Sequence, residues 1–307
     1  MMRQIALALT FGLWSLALGG ASCDKKSAAE PGAGPTHVGM VPEADPKAGA
    51  VEDLPGVDLA KLAADQKDRF FKLVDKLPSP CGKAHSLRAS LKSDPTCRHA
   101  PFAARALARW VAMDDAPSDD EVNQFFAGHY LAPRTAEFDT RSSPFEGVPS
   151  APVVMVEFFD YGCPHCRLFV PILEDVVAEL PGEVVLYFKH FPLSQHTSSV
   201  PAAIAAVAAH RQGKFRDMHR KLFANQEALA KEDLFRYAQE IGLDMRKFAA
   251  DFGDPRTRDR VMADRAEGEK AGIAGTPYLF VNGRNYSNPL SLEDIVDWVK
   301  EDLAVNR

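Results

Sequence analysis

Seven residues, Val153-Val154-Met155-Val156-Glu157-Phe158-Phe159, constrain this chain more than any other segment. Apart from Glu157 the run is continuously apolar, too short for an ordinary helix, and dense in β-branched and aromatic side chains. Those properties predict a strand buried on both faces of a sheet. A Ser/Pro/Gly-rich turn region at about 142–152 precedes it, and Cys163-Pro164-His165-Cys166 follows it at once. A helix is expected from about Pro164 to Leu180, with Pro171 as the place for a kink. A strand that runs into a helix through two cysteines puts the first of them at the helix N-terminus.

There, unpaired backbone N–H groups and the helix dipole favour negative charge on sulfur. Cys163 is therefore expected to be the low-pKa, exposed nucleophile, and Cys166, one turn inside, the resolving thiol. A helix end alone does not suffice. Lowering a thiol from about 8.5 to about 3.5, the strongest case of this motif, takes roughly 7 kcal/mol, and a helix dipole supplies about 2 at most. His165, between the two cysteines, is the natural further contributor. Glu157, six residues before Cys163, is expected to be a buried acid that exchanges protons with Cys166, or a structural ion pair with Lys189, or both. A zinc half-site is disfavoured because the chain has no second C-x-x-C. His190 and His196 read as solvated or structural.

Beyond the motif, Val184 to Lys189 forms another β-rich run, and a long helical stretch is expected at about 200–271, where Leu234, Phe235, Ala238 and Ile241 share one face. Tyr278-Leu279-Phe280-Val281 returns to strand, Asn282-Gly283 is a hairpin turn, and a final helix starts near Ser291 with Ile295, Val296, Trp298 and Val299.

Upstream, residues 57–135 read as a small all-helical region. Leu59, Leu62, Phe70, Leu73, Val74 and Leu77 recur at helical spacing until Pro78 and Pro80, a second helix spans about Pro101 to Met113, and Ser118 with Glu121 forms a capping-box signature for a third. Cys81 and Cys97 lie between the first two. A bridge there stabilises by about 3 kcal/mol and is preferred to a metal site shared with His85 and His99, whose spacing fits no common zinc pattern. Residues 23–56, rich in Ala, Gly and Pro, cannot bury a core and read as a flexible tether of about 30 Å. Residues 1–22 read as an export signal, with Arg3 before an apolar stretch and small residues at its end, or as an uncleaved anchor.

Cys23 follows those small residues directly, as the lipidated cysteine of a bacterial lipoprotein does, although Gly20 stands where such signals carry Leu. Five cysteines resolve as one lipid anchor and two pairs, Cys81 with Cys97 and Cys163 with Cys166. Net charge is modest at −6, from 36 basic and 42 acidic residues, and nothing suggests a nucleic-acid partner.

The segment from Glu157 to Cys166, EFFDYGCPHC, resembles the active-site segment of DsbA-family thiol:disulfide oxidoreductases. Gly275-Thr276-Pro277 with Phe280-Val281-Asn282-Gly283 is similar to their cis-proline loop, and Phe191-Pro192-Leu193, Gly213-Lys214-Phe215, Leu222-Phe223 and Ile241-Gly242-Leu243-Asp244 to their helical insertion. The resemblance covers about Phe145 to Ala304. It implies an α/β chain, a thioredoxin fold with a helical insertion over residues 145–307. It further implies a cis Pro277 facing the dithiol, Thr276 offering backbone to a substrate peptide, exported cysteine-containing substrates, a membrane redox partner, and no cofactor or metal. Pro164-His165 is the DsbA dipeptide and points to an oxidase. Thr276 matches the related isomerases and keeps an isomerase or reductase open, as does a third possibility, a chaperone or binding module with an incidental dithiol.

Overall fold

The computed structural model describes residues 54–305. The expected signal, Cys23 and nearly all of the expected tether lie outside the described residues. Leu54, placed by the sequence at the end of the tether, is buried in the core of the helices that follow it.

Those helices are α1 (Ala64–Lys76), α2 (Leu87–Ser93), α3 (Ala100–Ala112) and α4 (Asp119–Phe126), the last running into a π-helical turn at Ala127–Leu131. Helix α1 begins later than the apolar spacing suggested: the Gln66 side chain accepts from the Ala63 N–H, and Leu59 and Leu62 pack as a buried lead-in. The capping box at α4 forms, with the Ser118 N–H donating to Glu121 and the Glu121 N–H to the Ser118 hydroxyl. Helix α2 was not anticipated. It is a single short element with a Ser86 cap, and seven residues give too few periods for apolar spacing to register.

Cys81 and Cys97 are bonded, with Cα atoms 5.7 Å apart, and Cys97 sits in the core of this helical cluster. The two nearby histidines turn elsewhere: His85 Nε2 lies 3.0 Å from the Ser90 hydroxyl, and His99 Nδ1 2.5 Å from Glu301.

The rest of the chain is built on a five-stranded sheet in the order β1-β3-β2-β4-β5, from β1 (Phe145–Gly147), β2 (Val153–Phe159), β3 (Val184–His190), β4 (Tyr278–Val281) and β5 (Arg284–Asn285). Strand β2 is central. It pairs parallel with β3 across the helix α5 (Pro164–Glu179) and antiparallel with β4, which is why its side chains are buried almost without exception.

Alternation along β2 sends Val153, Met155, Glu157 and Phe159 to one face and Val154, Val156 and Phe158 to the other. Val153, Met155 and Phe159 share the larger core with α5, while Val156 and Phe158 join a smaller cluster with Phe191, Ile273 and Phe280. The expected helical stretch is five helices, α6 (Ser199–His210), α7 (Phe215–Ala224), α8 (Lys231–Glu240), α9 (Met245–Gly253) and α10 (Pro255–Lys270). Gly268 of α10 lets that helix sit directly on the second core: a Cβ there would come within 2.7 Å of the Phe191 ring.

The chain closes with α11 (Leu292–Val305), which carries the N-terminal helices. Arg109 of α3 bonds Asp294 and Asp297 at 2.8 and 2.6 Å, the Trp110 indole donates to Asp294, and the buried His129 ring stacks on Trp298 with centroids 3.5 Å apart. Strand, helix, strand, helical insertion, hairpin and terminal helix is the thioredoxin arrangement expected from the sequence.

Candidate active site

The site forms where β2 ends. Asp160, Tyr161 and Gly162 turn the chain into α5, and Cys163 is the N-cap residue of that helix. The turn is closed by the Cys163 N–H donating to the Asp160 carbonyl at 3.0 Å. The Asp160 carboxylate, fully buried, gathers donors around it. The N–H groups of Gly162 and Leu193 reach it at 2.8 and 2.9 Å, the Ser199 hydroxyl donates to it, and His196 Nδ1 lies 2.6 Å away. Burying a carboxylate is costly unless its oxygens are satisfied, and here the cost is met by four neighbours that hold the turn in shape. Gly162 is required by the same packing, because a Cβ there would lie 2.7 Å from His196 Cβ. From the helical insertion, the Gln226 amide donates to the carbonyls of Tyr161 and Cys163 at 2.9 and 2.8 Å.

Both Cys163 and Cys166 are free thiols. Cys163 is covered, with 4% of its surface accessible, so the expected exposed nucleophile is in fact a recessed one. The Thr276-Pro277 loop stands against it: the peptide bond is cis, and Cys163 Sγ lies 3.3 Å from the Thr276 carbonyl oxygen. The Cys163 thiol is drawn down to about 5, first by hydrogen bonding from Cys166, then by Thr276 and the backbone N–H groups of Cys166 and His165, against the opposing effect of burial. The Cys166 thiol is pushed far up by burial, by its hydrogen bond to Cys163 and by the charge of Glu157. The two sulfurs are therefore chemically unlike: one ionises below neutrality and the other holds its proton.

The sequence assigned the extra thiolate stabilisation to the His165 ring. In the structure Pro164 and His165 are both exposed, and it is the His165 backbone N–H that acts on Cys163. Glu157 is wholly buried on the strand that leads into the dithiol, with neither carboxylate oxygen hydrogen-bonded among the described residues, and burial raises it to about 8. The proposed ion pair with Lys189 does not form. Phe158, not Glu157, pairs with Lys189 across the strands, so the two charges point to opposite faces of the sheet. Lys189 instead bonds Asp264 at 3.1 Å, Glu267 at 2.5 Å and the Asp139 carbonyl at 2.8 Å.

A small cavity is lined by Glu157, Leu173 and His219 together with Glu146, Glu174 and Arg216. Of the two histidines expected to be solvated or structural, His190 ends β3 as a buried structural residue 3.3 Å from Asp264, whereas His196 braces the turn before Cys163 through Asp160. Asp160, Ser199 and Gln226 escaped the sequence reading. Asp160 left a signal, an acid at the end of an apolar strand; Ser199 and Gln226 left none, since contact with the turn depends on how distant helices fold back. Among the described residues no group of three or more His, Cys, Asp or Glu side chains is arranged to hold a metal ion.

Curated relatives carrying the name Na(+)/H(+) antiporter NhaA align with the same part of the chain. One from Mycobacterium sp. (strain KMS) is 35% identical over 161 residues, 52% of this chain and 26% of that protein. Another from Salinispora tropica is 36% identical over 148 residues, 48% of this chain and 22% of that protein. The chain thus spans about a quarter of the length of these relatives, and no helix among the described residues is long and apolar enough to cross a membrane.

Among solved structures, BdbD from Bacillus subtilis superposes with a TM-score of 0.51 at 24% identity, over 56% of this chain and 98% of that one, and shares the fold. A thioredoxin-like oxidoreductase from Silicibacter pomeroyi gives a TM-score of 0.49 at 29% identity, over 53% of this chain and 93% of that one. The family model described as thioredoxin (Thioredoxin_4) matches residues 139–301, which takes in the sheet, the dithiol, the helical insertion and the cis-proline loop. By that match, over more than half of its length, the chain belongs to the thioredoxin family.

Proposed function

We propose that this protein is a thiol:disulfide oxidoreductase that donates disulfides to exported proteins through Cys163 and Cys166. The observation that carries the reading is the contrast between the two sulfurs, a Cys163 thiol lowered to about 5 beside a Cys166 thiol held protonated by burial and by the charge of Glu157.

In the oxidised enzyme a substrate thiolate attacks Cys163 Sγ, breaking the Cys163–Cys166 bond and forming a mixed disulfide. Cys166 leaves as a thiolate and takes up a proton, and buried Glu157, whose charge acts on Cys166, supplies it. The second substrate thiol, deprotonated, then attacks its own partner sulfur and expels Cys163 as a thiolate. The substrate gains one disulfide, the enzyme gains two electrons, and a membrane redox partner removes them. The Cys163 end of the pair is the better leaving group because its thiolate is stabilised, and that stabilisation favours the reduced enzyme and so the donation of disulfides. Thr276, whose carbonyl faces Cys163, is placed to offer backbone to an extended substrate.

Export, a periplasmic or envelope location and lipid attachment at Cys23 belong to the same reading and rest on residues 1–23. A second direction, isomerase or reductase, is favoured by Thr276 before the cis proline. Exchange with a reduced, unfolded two-cysteine substrate separates them. The oxidised protein should form the substrate disulfide stoichiometrically, Cys163→Ser should abolish exchange, and Cys166→Ser, which has no disulfide to give, should leave reduced substrate unoxidised but trap a mixed disulfide when the substrate is supplied in its disulfide form. A Cys163→Ser protein that still oxidised substrate would overturn the reading, and a wild-type protein that only reduced disulfides would reverse its direction.

A further inference from the structure

We infer that Gln226, a residue of the helical insertion, is a positioning residue that sets the redox poise of the Cys163/Cys166 pair by holding the turn before Cys163. The inference rests on the oxidoreductase reading above and adds to it a role for a residue more than sixty positions away in the sequence.

Gln226 lies in the loop between α7 and α8. Its side-chain amide has two N–H donors, and its nitrogen meets two main-chain carbonyls, those of Tyr161 at 2.9 Å and Cys163 at 2.8 Å. The Cys163 carbonyl also accepts the first bond of α5, from the Arg167 N–H at 3.3 Å. Gln226 thus grips the carbonyls of the two residues that flank Gly162, where α5 takes its direction.

From the opposite side the same turn is held by the Asp160 carboxylate through the Gly162 N–H, with His196 and Ser199 behind it. The turn is clamped between its own buried acid and a side chain delivered by the insertion.

The clamp acts unequally on the two redox states. In the disulfide form a covalent bond already fixes Cys163 relative to Cys166 and to the first turn of α5. In the dithiol form that bond is gone, and the aim of the His165 and Cys166 N–H groups at Cys163 Sγ depends on the turn alone. A group that keeps the turn in place therefore stabilises the reduced state more than the oxidised one. By the linkage between reduced-state stability and oxidising power, it raises the potential. Each of these is an uncharged hydrogen bond of ordinary strength, so losing both shifts the equilibrium by about tenfold, equivalent to about 30 mV for a two-electron couple.

The test compares wild type, Gln226→Met and Gln226→Glu in equilibrium with reduced and oxidised glutathione, together with the melting temperature of each redox form and the pH midpoint of thiolate absorbance. Met keeps the length and removes the donors; Glu keeps the shape and sets acceptors against two carbonyls. The expected result is a fall of about tenfold in the equilibrium constant for Met, a larger fall for Glu, a raised thiolate midpoint in both, and a melting temperature lowered more in the reduced form than in the oxidised form. A Met variant within threefold of wild type overturns the inference even if Glu falls, since charge alone would explain Glu. Equal loss of melting temperature in both redox forms also overturns it, because the residue would then be merely structural. A wild-type protein that fails to exchange with glutathione at all removes the functional reading itself, and that outcome is visible before any variant is compared.

Discussion

Replacing Glu157 by Gln tests the buried acid directly. Burial raises this carboxyl from 4.5 to about 8, and no hydrogen bond among the described residues offsets it. For a group whose folded pKa lies above its unfolded value, the unfolded chain releases its proton first as pH rises. Folding stability is then lost progressively between about 4.5 and 8. At about 1.36 kcal/mol per pH unit, the full loss approaches about 5 kcal/mol above pH 8 and is about 3 at pH 7, near zero at pH 4.

Gln is nearly isosteric and does not ionise, so Glu157→Gln is expected to match wild type at pH 4 and to exceed it by about 3 kcal/mol at pH 7. Denaturant unfolding of the reduced protein at pH 4, 7 and 8.5 reads the difference. The same variant lacks a proton carrier for Cys166 and is expected to exchange disulfides about 100-fold more slowly at neutral pH, the lower range for a lost general acid or base. A stability gap that does not widen with pH, or a variant less stable than wild type at pH 8.5, would refute the assignment of a destabilising buried charge. Greater stability with unchanged exchange would leave Glu157 buried but remove its part in proton transfer.

Other consequences are open to measurement. Thiolate absorbance of the reduced protein should rise with a midpoint near pH 5, and it should vanish in Cys163→Ser but persist in Cys166→Ser with a higher midpoint, because the Cys166 thiol is the leading stabiliser of the Cys163 thiolate. Removing the Cys81–Cys97 bond by a double Ser substitution should lower stability by about 3 kcal/mol and leave the potential of the Cys163/Cys166 pair where it was; a shifted potential would show the helical cluster to be coupled to the site. Gly162→Ala should lower both stability and exchange rate, since its Cβ would press on His196, and a variant with wild-type kinetics would show that the turn can open without consequence.

The sheet and the dithiol were legible because they depend on neighbours in sequence: the apolar run of β2, the motif after it and the Asn282-Gly283 hairpin each declare themselves within a few residues. Glu157 was legible for the same reason, as a single acid in an apolar strand. Its partner was misassigned because periodicity shows that two strands exist but not their register, and one residue of register carries Lys189 to the other face. The helical cluster announced its first, third and fourth helices through spacing and caps, but α2 is too short to show a period. What lay beyond reach was the support of the active-site turn. Nothing about Ser199 or Gln226 in the sequence marks them as neighbours of Cys163; their place follows from how the insertion packs back over the end of β2. The weight given to the His165 ring was misplaced for a related reason: its side chain is free to turn to solvent, whereas its backbone N–H is fixed by the helix.

The equilibrium potential of the Cys163/Cys166 pair against glutathione tests the central claim most directly. A thiol near 5 lies between thioredoxin, at about 7 and about −270 mV, and DsbA, at about 3.5 and about −120 mV. The expected potential therefore falls between those limits, near −190 mV by rough interpolation, oxidising enough to pass a disulfide to substrate thiols. A value at or below about −270 mV would contradict a disulfide donor and make the pair a reductant.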